Sequence, residues 1–126
     1  MADDYLNKQQ TGETDMHVIE NILNDKNAFS EAAELFKQLS DPSRLKIYWL
    51  LCHSEECVMD IADRLNMSSP TVSHHLRVLK SYDLITNTRS GKEVYYKASE
   101  IPCSVILHNT IEQVMEIVCP LMTGDK

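Results

Sequence analysis

Residues 68–82 place the tightest constraint on what this chain can become. Ser68 or Ser69 can cap a helix with Pro70 near its first turn, and Val72, Leu76 and Leu79 recur at helical spacing to about Tyr82. Such a helix buries a narrow apolar stripe, while its other face reads Thr71, Ser73, His74, Arg77 and Lys80. A short helix is expected just before it, over residues 57–65, with Val58, Ile61, Ala62 and Leu65 on one face. Asn66, a residue that tolerates the left-handed turn, closes that helix. Two β-type runs follow, 84–88 and 94–97, joined through Arg89-Ser90-Gly91-Lys92, where Gly91 supplies the backbone dihedrals of a tight hairpin. The fold class expected is mostly α with a small β-hairpin wing, a winged helix-turn-helix. In that layout the second helix offers small polar and basic side chains to the major groove of DNA, and the wing reaches phosphates.

The flanking segments fit one domain over residues 14–120, preceded by a polar, disordered arm over 1–13; 126 residues leave little room for a second domain. Thr14 or Asp15 can cap a short helix carrying Val18, Ile19, Ile22 and Leu23. Ser30, with Glu31 and Glu34 behind it, is expected to open a second helix through Leu39. Ser40-Asp41-Pro42 then stops one helix and starts another, whose Leu45, Ile47, Tyr48, Trp49, Leu50 and Leu51 should form the buried centre. Ser99 and Glu100 begin a last helix with an apolar stripe of Leu107, Ile111, Val114, Met115 and Val118, ending near Cys119-Pro120. The longest apolar run, 47–52, is far too short to cross a bilayer, and Asp3 and Asp4 stand where a secretory signal would be apolar. We therefore expect no membrane partner, a cytoplasmic location and reduced cysteines at 52, 57, 103 and 119.

Net charge is −7, which taken alone argues against a nucleic-acid partner. Its distribution argues the other way: residues 1–63 carry −8, residues 64–97 carry +4, and residues 98–126 carry −3. One positive segment in an acidic chain is the asymmetry of a face that meets a polyanion. The sequence contains no Gly-x-Ser-x-Gly, no phosphate-binding glycine loop and no His-Glu-x-x-His, so an enzyme is not expected and no organic cofactor is implied.

From about Glu34 to about Cys119 the chain resembles the ArsR/SmtB family of bacterial metal-responsive repressors. The resemblance runs through Leu39-Ser40-Asp41-Pro42-Ser43-Arg44-Leu45-Lys46-Ile47 and Glu56-Cys57-Val58-Met59-Asp60-Ile61-Ala62. It continues through the segment from Ser69-Pro70-Thr71 to Leu79-Lys80 and through Gly91-Lys92-Glu93-Val94-Tyr95-Tyr96. It implies a homodimer formed by the first and last helices, which binds a palindromic double-stranded DNA operator with two recognition helices and is released by a ligand. Carried over by position, Ser69, Thr71, Ser73, His74 and Arg77 would contact DNA from the helix, and Arg89 and Lys92 from the wing. His75 stands open between a DNA contact and a structural histidine turned inward.

Two sets of side chains could sense a divalent metal, zinc or cadmium. The family's sensor motif puts a thiolate at Cys57, with Asp60 one turn on and further ligands from the partner subunit's arm; His17 is the His or Cys that precedes Cys52. Met59 stands where arsenic and cadmium members have a second cysteine, which favours a mixed sulfur, nitrogen and oxygen site. The packed thiol is the alternative for Cys57. The second set comes from helical geometry: His108 and Glu112 share a narrow stripe of the last helix with Cys119, and a solvated ion pair is the competing reading. The family's own interhelical zinc quartet falls on Glu100, Pro102, Gln113 and Glu116 and is broken. Cys52 is expected as a core thiol and His53 as a partner of a helix C-terminal dipole. A thiol-redox or persulfide-responsive repressor of the same fold, switched by Cys52 and Cys57, is the alternative function.

Overall fold

The structure, a computed structural model, describes residues 15–123. The arm expected over 1–13, and Thr14 as a cap, lie outside the described residues. The chain divides into two units, Met1–Lys37 and Gln38–Lys126.

In the first unit, α1 spans Met16–Leu23 with Asp15 as its cap, the carboxylate accepting from the His17 amide at 3.0 Å. Helix α2 spans Ala28–Gln38 and so runs to the first residue of the second unit. It starts two residues before the expected Ser30, because Asp25 Oδ1 accepts from the amides of Asn27 (2.9 Å) and Ala28 (2.8 Å) and starts the turn earlier. Those two amides hold the Asp25 carboxyl below its ordinary range. Neither helix has a buried residue up to Lys37; Met16, Ile22, Leu23, Phe29 and Phe36 all remain exposed.

The second unit is built on α3, Pro42–His53. Asp41 is in extended conformation and its carboxylate accepts from the amides of Ser43 (2.8 Å) and Arg44 (3.3 Å), while Pro42 occupies a position that needs no amide partner. Ile47, Tyr48 and Leu51 of this helix are buried at the centre, whereas Leu45, Trp49 and Leu50 of the expected run are only half-buried, because a helix apolar on every side can turn only part of its circumference inward. After a two-residue strand β1, Glu56–Cys57, helix α4 spans Val58–Leu65 and ends at Asn66 with φ 55°. Helix α5 spans Ser69–Ser81. Asp83, with φ 60°, turns the chain into β2, Ile85–Ser90, which pairs antiparallel with β3, Glu93–Ala98. Ser90 opposes Glu93, so the hairpin turn is only Gly91-Lys92, with Gly91 at φ 64°. The sheet order is β1-β3-β2, with Glu56 opposite Tyr96 and Cys57 opposite Tyr95. Helix α6 spans Pro102–Val118, followed by a 3-10 turn at Pro120–Thr123.

Helix α6 begins later than Ser99-Glu100 because Ser99 is already committed: its amide donates to the Leu84 carbonyl at 2.9 Å and its hydroxyl to the Asp83 carbonyl at 2.6 Å. The architecture is the mostly helical winged helix-turn-helix expected, with α4 and α5 as its two helices and β2-β3 as its wing.

The cap on α3 has a measurable pH signature. The Arg44 amide, more than any other group, holds the Asp41 carboxyl below its ordinary 3.8, so the cap's contribution is complete above that value and is lost as pH falls through the folded-state value. Asp41→Ala should cost about 1 kcal/mol at pH 7 in urea unfolding, with the gap to the parent closing toward acid.

Candidate nucleic-acid interface and metal-binding residues

The two faces of α5 separate cleanly. Val72 and Leu79 are fully buried, and Leu76 and His75 nearly so. Ser69, Thr71, His74, Arg77 and Lys80 are exposed on the other side, with Ser73 half-buried at its margin. Ser68 caps the helix: its hydroxyl accepts from the Thr71 amide at 3.3 Å and donates to the Thr71 hydroxyl at 2.8 Å. Lys80 Nζ donates to Asn87 Oδ1 and ties the end of this helix to β2. Arg89 lies within β2 opposite Val94 rather than in the turn, while Lys92 sits at the tip; both are exposed. One helical face and one hairpin thus carry the exposed Arg77, Arg89 and Lys92 within a single unit.

His75 is a structural histidine in this fold. It is 6% exposed, and its Nδ1 accepts from Arg44 Nε at 3.1 Å. The same guanidinium donates through Nη1 to the Gln38 side-chain oxygen (2.9 Å) and carbonyl (3.3 Å). Burial lowers the pKa of His75 and keeps it neutral, which suits an acceptor facing a guanidinium.

The first metal set is divided between the two units, His17 in the first and Cys57 and Asp60 in the second. Cys57 is 5% exposed, paired in β1 with Tyr95, and is the cap residue of α4 without a side-chain cap bond. Asp60 in the first turn of α4 is exposed, and His17 is exposed in the first unit. The preceding acid, Glu56, is buried and engaged, accepting from Ser54 Oγ and from Arg64 Nε at 3.2 Å.

The second set is gathered, and it gains a member. Glu112 Oε1 lies 3.5 Å from His108 Nε2 and 2.5 Å from Nε2 of His53, the last residue of α3. The two imidazoles meet edge to face, ring centroids 5.3 Å apart. Among the described residues these three form the one cluster of His, Cys, Asp or Glu whose ligand atoms all lie within 4.8 Å of one another. The hydrogen bond from His53 is the main cause holding the Glu112 carboxyl below its ordinary range, with both imidazole charges assisting. Cys119, the third residue of the expected stripe, caps the end of α6 and is not in the cluster. His53 was read from sequence as a helix-end partner; nothing within its own helix announces a contact 59 residues away.

A family model for bacterial regulatory proteins of the arsR family matches residues 41–87. The chain is 34% identical over 84 residues to the transcriptional repressor SdpR of Bacillus subtilis, covering 67% of this chain and 89% of that one. It is 42% identical over 71 residues to a cadmium resistance transcriptional regulatory protein CadC homolog of Staphylococcus aureus, covering 56% of this chain and 59% of that one. The alignments span about half the length of several other curated relatives. Among solved structures it is similar to the homodimeric winged helix-turn-helix DNA-binding domain of Mb0332 from Mycobacterium bovis, with a TM-score of 0.63 and 29% identity over 74% of this chain and 87% of that one.

The neutral His75 gives a second pH-dependent expectation. Its folded-state pKa lies below the ordinary 6.5, so the unfolded chain takes up its proton first; stability is full above about 6.5 and falls as pH drops toward the folded-state value. His75→Gln keeps an acceptor for Arg44 and removes that titration. The parent should lose more of its urea midpoint than this variant between pH 7.5 and 5.5.

Proposed function

This chain belongs to the arsR family of bacterial regulatory proteins, and on that footing we propose that it is a transcriptional repressor that binds a palindromic operator as a homodimer and is released by a metal ion. The observation that carries the proposal is the exposed polar and basic face of α5, set opposite its buried stripe and followed by a basic wing. Arg77 is the side chain suited to a guanine edge or a phosphate, with Ser69, Thr71, Ser73 and His74 as shorter donors around it. Arg89 and Lys92 on the wing neutralise phosphates, and they belong to the one positive segment of an otherwise acidic chain.

Dimerisation is supported by α6. Of the stripe expected from sequence, Leu107 turns into the core, Ile111 and Met115 are half-buried, and Val114 and Val118 are exposed, as are Val105, Ile106 and Ile117 outside that stripe. A second copy laid against that helix, together with α1, would remove this apolar surface from water and place two recognition helices on two half-sites. The repressor would work in the cytoplasm, on double-stranded DNA, without an organic cofactor.

For the releasing ion, zinc or cadmium, the chain offers two donor sets. Cys57 with Asp60 and the partner subunit's His17 would require the Cys57 thiol to leave its buried position. His108 with Glu112 already stands at the surface of α6. A redox switch through Cys52 is not favoured, since burial pushes its thiol up to about 11 and leaves little thiolate at neutral pH.

Arg77→Ala should cost about 1–3 kcal/mol of specific operator affinity, whereas Lys92→Ala should weaken binding to all sequences alike and flatten the salt dependence. Parent-like binding by both variants at physiological salt would remove the operator assignment. Ile117, 84% exposed, is the position for testing assembly: Ile117→Glu should give a monomer by sedimentation and lose palindrome binding with it.

A further inference from the structure

We propose that His53, His108 and Glu112 form a metal site within one chain, taking a zinc-like divalent cation through two imidazole nitrogens and one carboxylate oxygen, with a fourth position open. The inference rests on the chain being a metal-responsive repressor and names the site and the ion class. It differs from both donor sets read in the sequence, because α3 supplies a ligand and no residue is borrowed from another subunit.

Distance is the first support. Ligand atoms around a tetrahedral zinc with bonds of about 2.0–2.1 Å stand about 3.3 Å apart. The separations here are 2.5 and 3.5 Å to Glu112 Oε1, and all lie within 4.8 Å, which is close to the required triangle. Charge is the second. The Glu112 carboxylate is the anionic donor of the set, with the two imidazole nitrogens 2.5 and 3.5 Å from one of its oxygens, so a cation held among the three meets a full negative charge. The side chains of His53, His108 and Glu112 keep 42%, 32% and 26% of their surface exposed, enough for an ion to enter.

The surroundings complete the site. His53 and His108 line a cavity of about 330 Å³ shared with Ser54, Lys97, Ser99 and Glu100, which gives the open position access to water. On the other side the Trp49 ring packs on His53 with centroids 4.4 Å apart. Its indole N–H is buried without a hydrogen-bond partner and lies near Glu112. A carboxylate that gives one oxygen to a cation keeps a second oxygen to accept from that N–H, the outer-shell partner metal-bound carboxylates use. Two nitrogens and one oxygen make a borderline set, suited to zinc, cobalt or nickel and poor for arsenite, which requires thiolates.

The test uses the full-length reduced chain, with zinc competed against a chromophoric chelator and cobalt followed by absorption. The parent should bind one ion per chain, with cobalt giving tetrahedral d–d bands and no thiolate charge-transfer band. His53→Gln and His108→Gln should each weaken zinc by about 10- to 100-fold or more, with metal-free thermal midpoints near that of the parent showing that both variants fold. Parent-like zinc affinity in His53→Gln would overturn the site, as would a thiolate band that Cys57→Ser abolishes. Operator affinity measured in the same titration separates the site from the function. Zinc bound through His53 with no loosening of operator keeps the site and removes metal release. Release by zinc that survives in His53→Gln keeps the function and removes the site.

Discussion

A phenol hydroxyl with no access to water must find its partners inside the protein, and the second unit is arranged around how Tyr48 does so. Tyr48 is fully buried in α3; its single hydroxyl proton is shared between the Ser104 carbonyl at 3.0 Å and Ser104 Oγ at 2.7 Å, which leaves the Ser104 proton free to go elsewhere. Ser104, itself fully buried, donates on to the Leu84 carbonyl at 3.3 Å. Three elements, α3, α6 and the entry to β2, are thereby pinned by one short chain of polar atoms. Burial raises the tyrosine pKa above its ordinary value, so the hydroxyl is a neutral donor at neutral pH. Leaving one of these groups unpaired would cost about 1–3 kcal/mol, which is what fixes the placement of α6 where apolar packing alone would tolerate sliding.

The surface built on this frame resolves an apparent conflict between an acidic chain and the polyanionic partner proposed for it. Exposed Arg77, Arg89 and Lys92 fall on one helix and one hairpin, while Lys80, equally basic, is turned to Asn87 and serves the joint between them. Net charge is a property of the whole molecule, whereas attraction to phosphate acts over about 10 Å at moderate salt. A local cluster can therefore bind an anion that the average charge repels.

The sequence made legible whatever is decided within a few residues. Asp41, Ser68, Asn66 and Gly91 each do locally what their side chains or dihedral preferences dictate, so the helix starts and the hairpin could be located to within a residue or two, with the cap left between Ser68 and Ser69 and the strands running two residues and one residue further into the turn than expected. Asp25 shows the limit of the same logic, since two acceptable starts lay within a few residues of each other and the carboxylate won over the Ser30 hydroxyl. Strand β1 escaped because two residues carry no periodicity and exist only through pairing with Tyr95 and Tyr96. His75 was undecided because a polar residue on a helix margin turns inward only when a distant donor, here Arg44, is waiting. Of the metal cluster, the i,i+4 pair His108 and Glu112 was visible, and His53 was not.

Helix α3 now stands out for a reason that its apolar sequence conceals. Its last residue, His53, reaches Glu112 on α6; Tyr48 in its middle reaches Ser104 on α6; and Arg44 in its first turn reaches His75 on α5. His75 in turn packs beside His74, ring centroids 5.5 Å apart, on the exposed face proposed to meet DNA. A single 12-residue helix therefore joins the candidate metal cluster to the candidate operator face through specific polar bonds, without crossing a loop. Contact alone transmits nothing. An ion at His53 changes operator affinity only if it binds more tightly when α6 and α5 hold one relative placement than when they hold another, and by linkage the operator then changes the ion's affinity by the same factor.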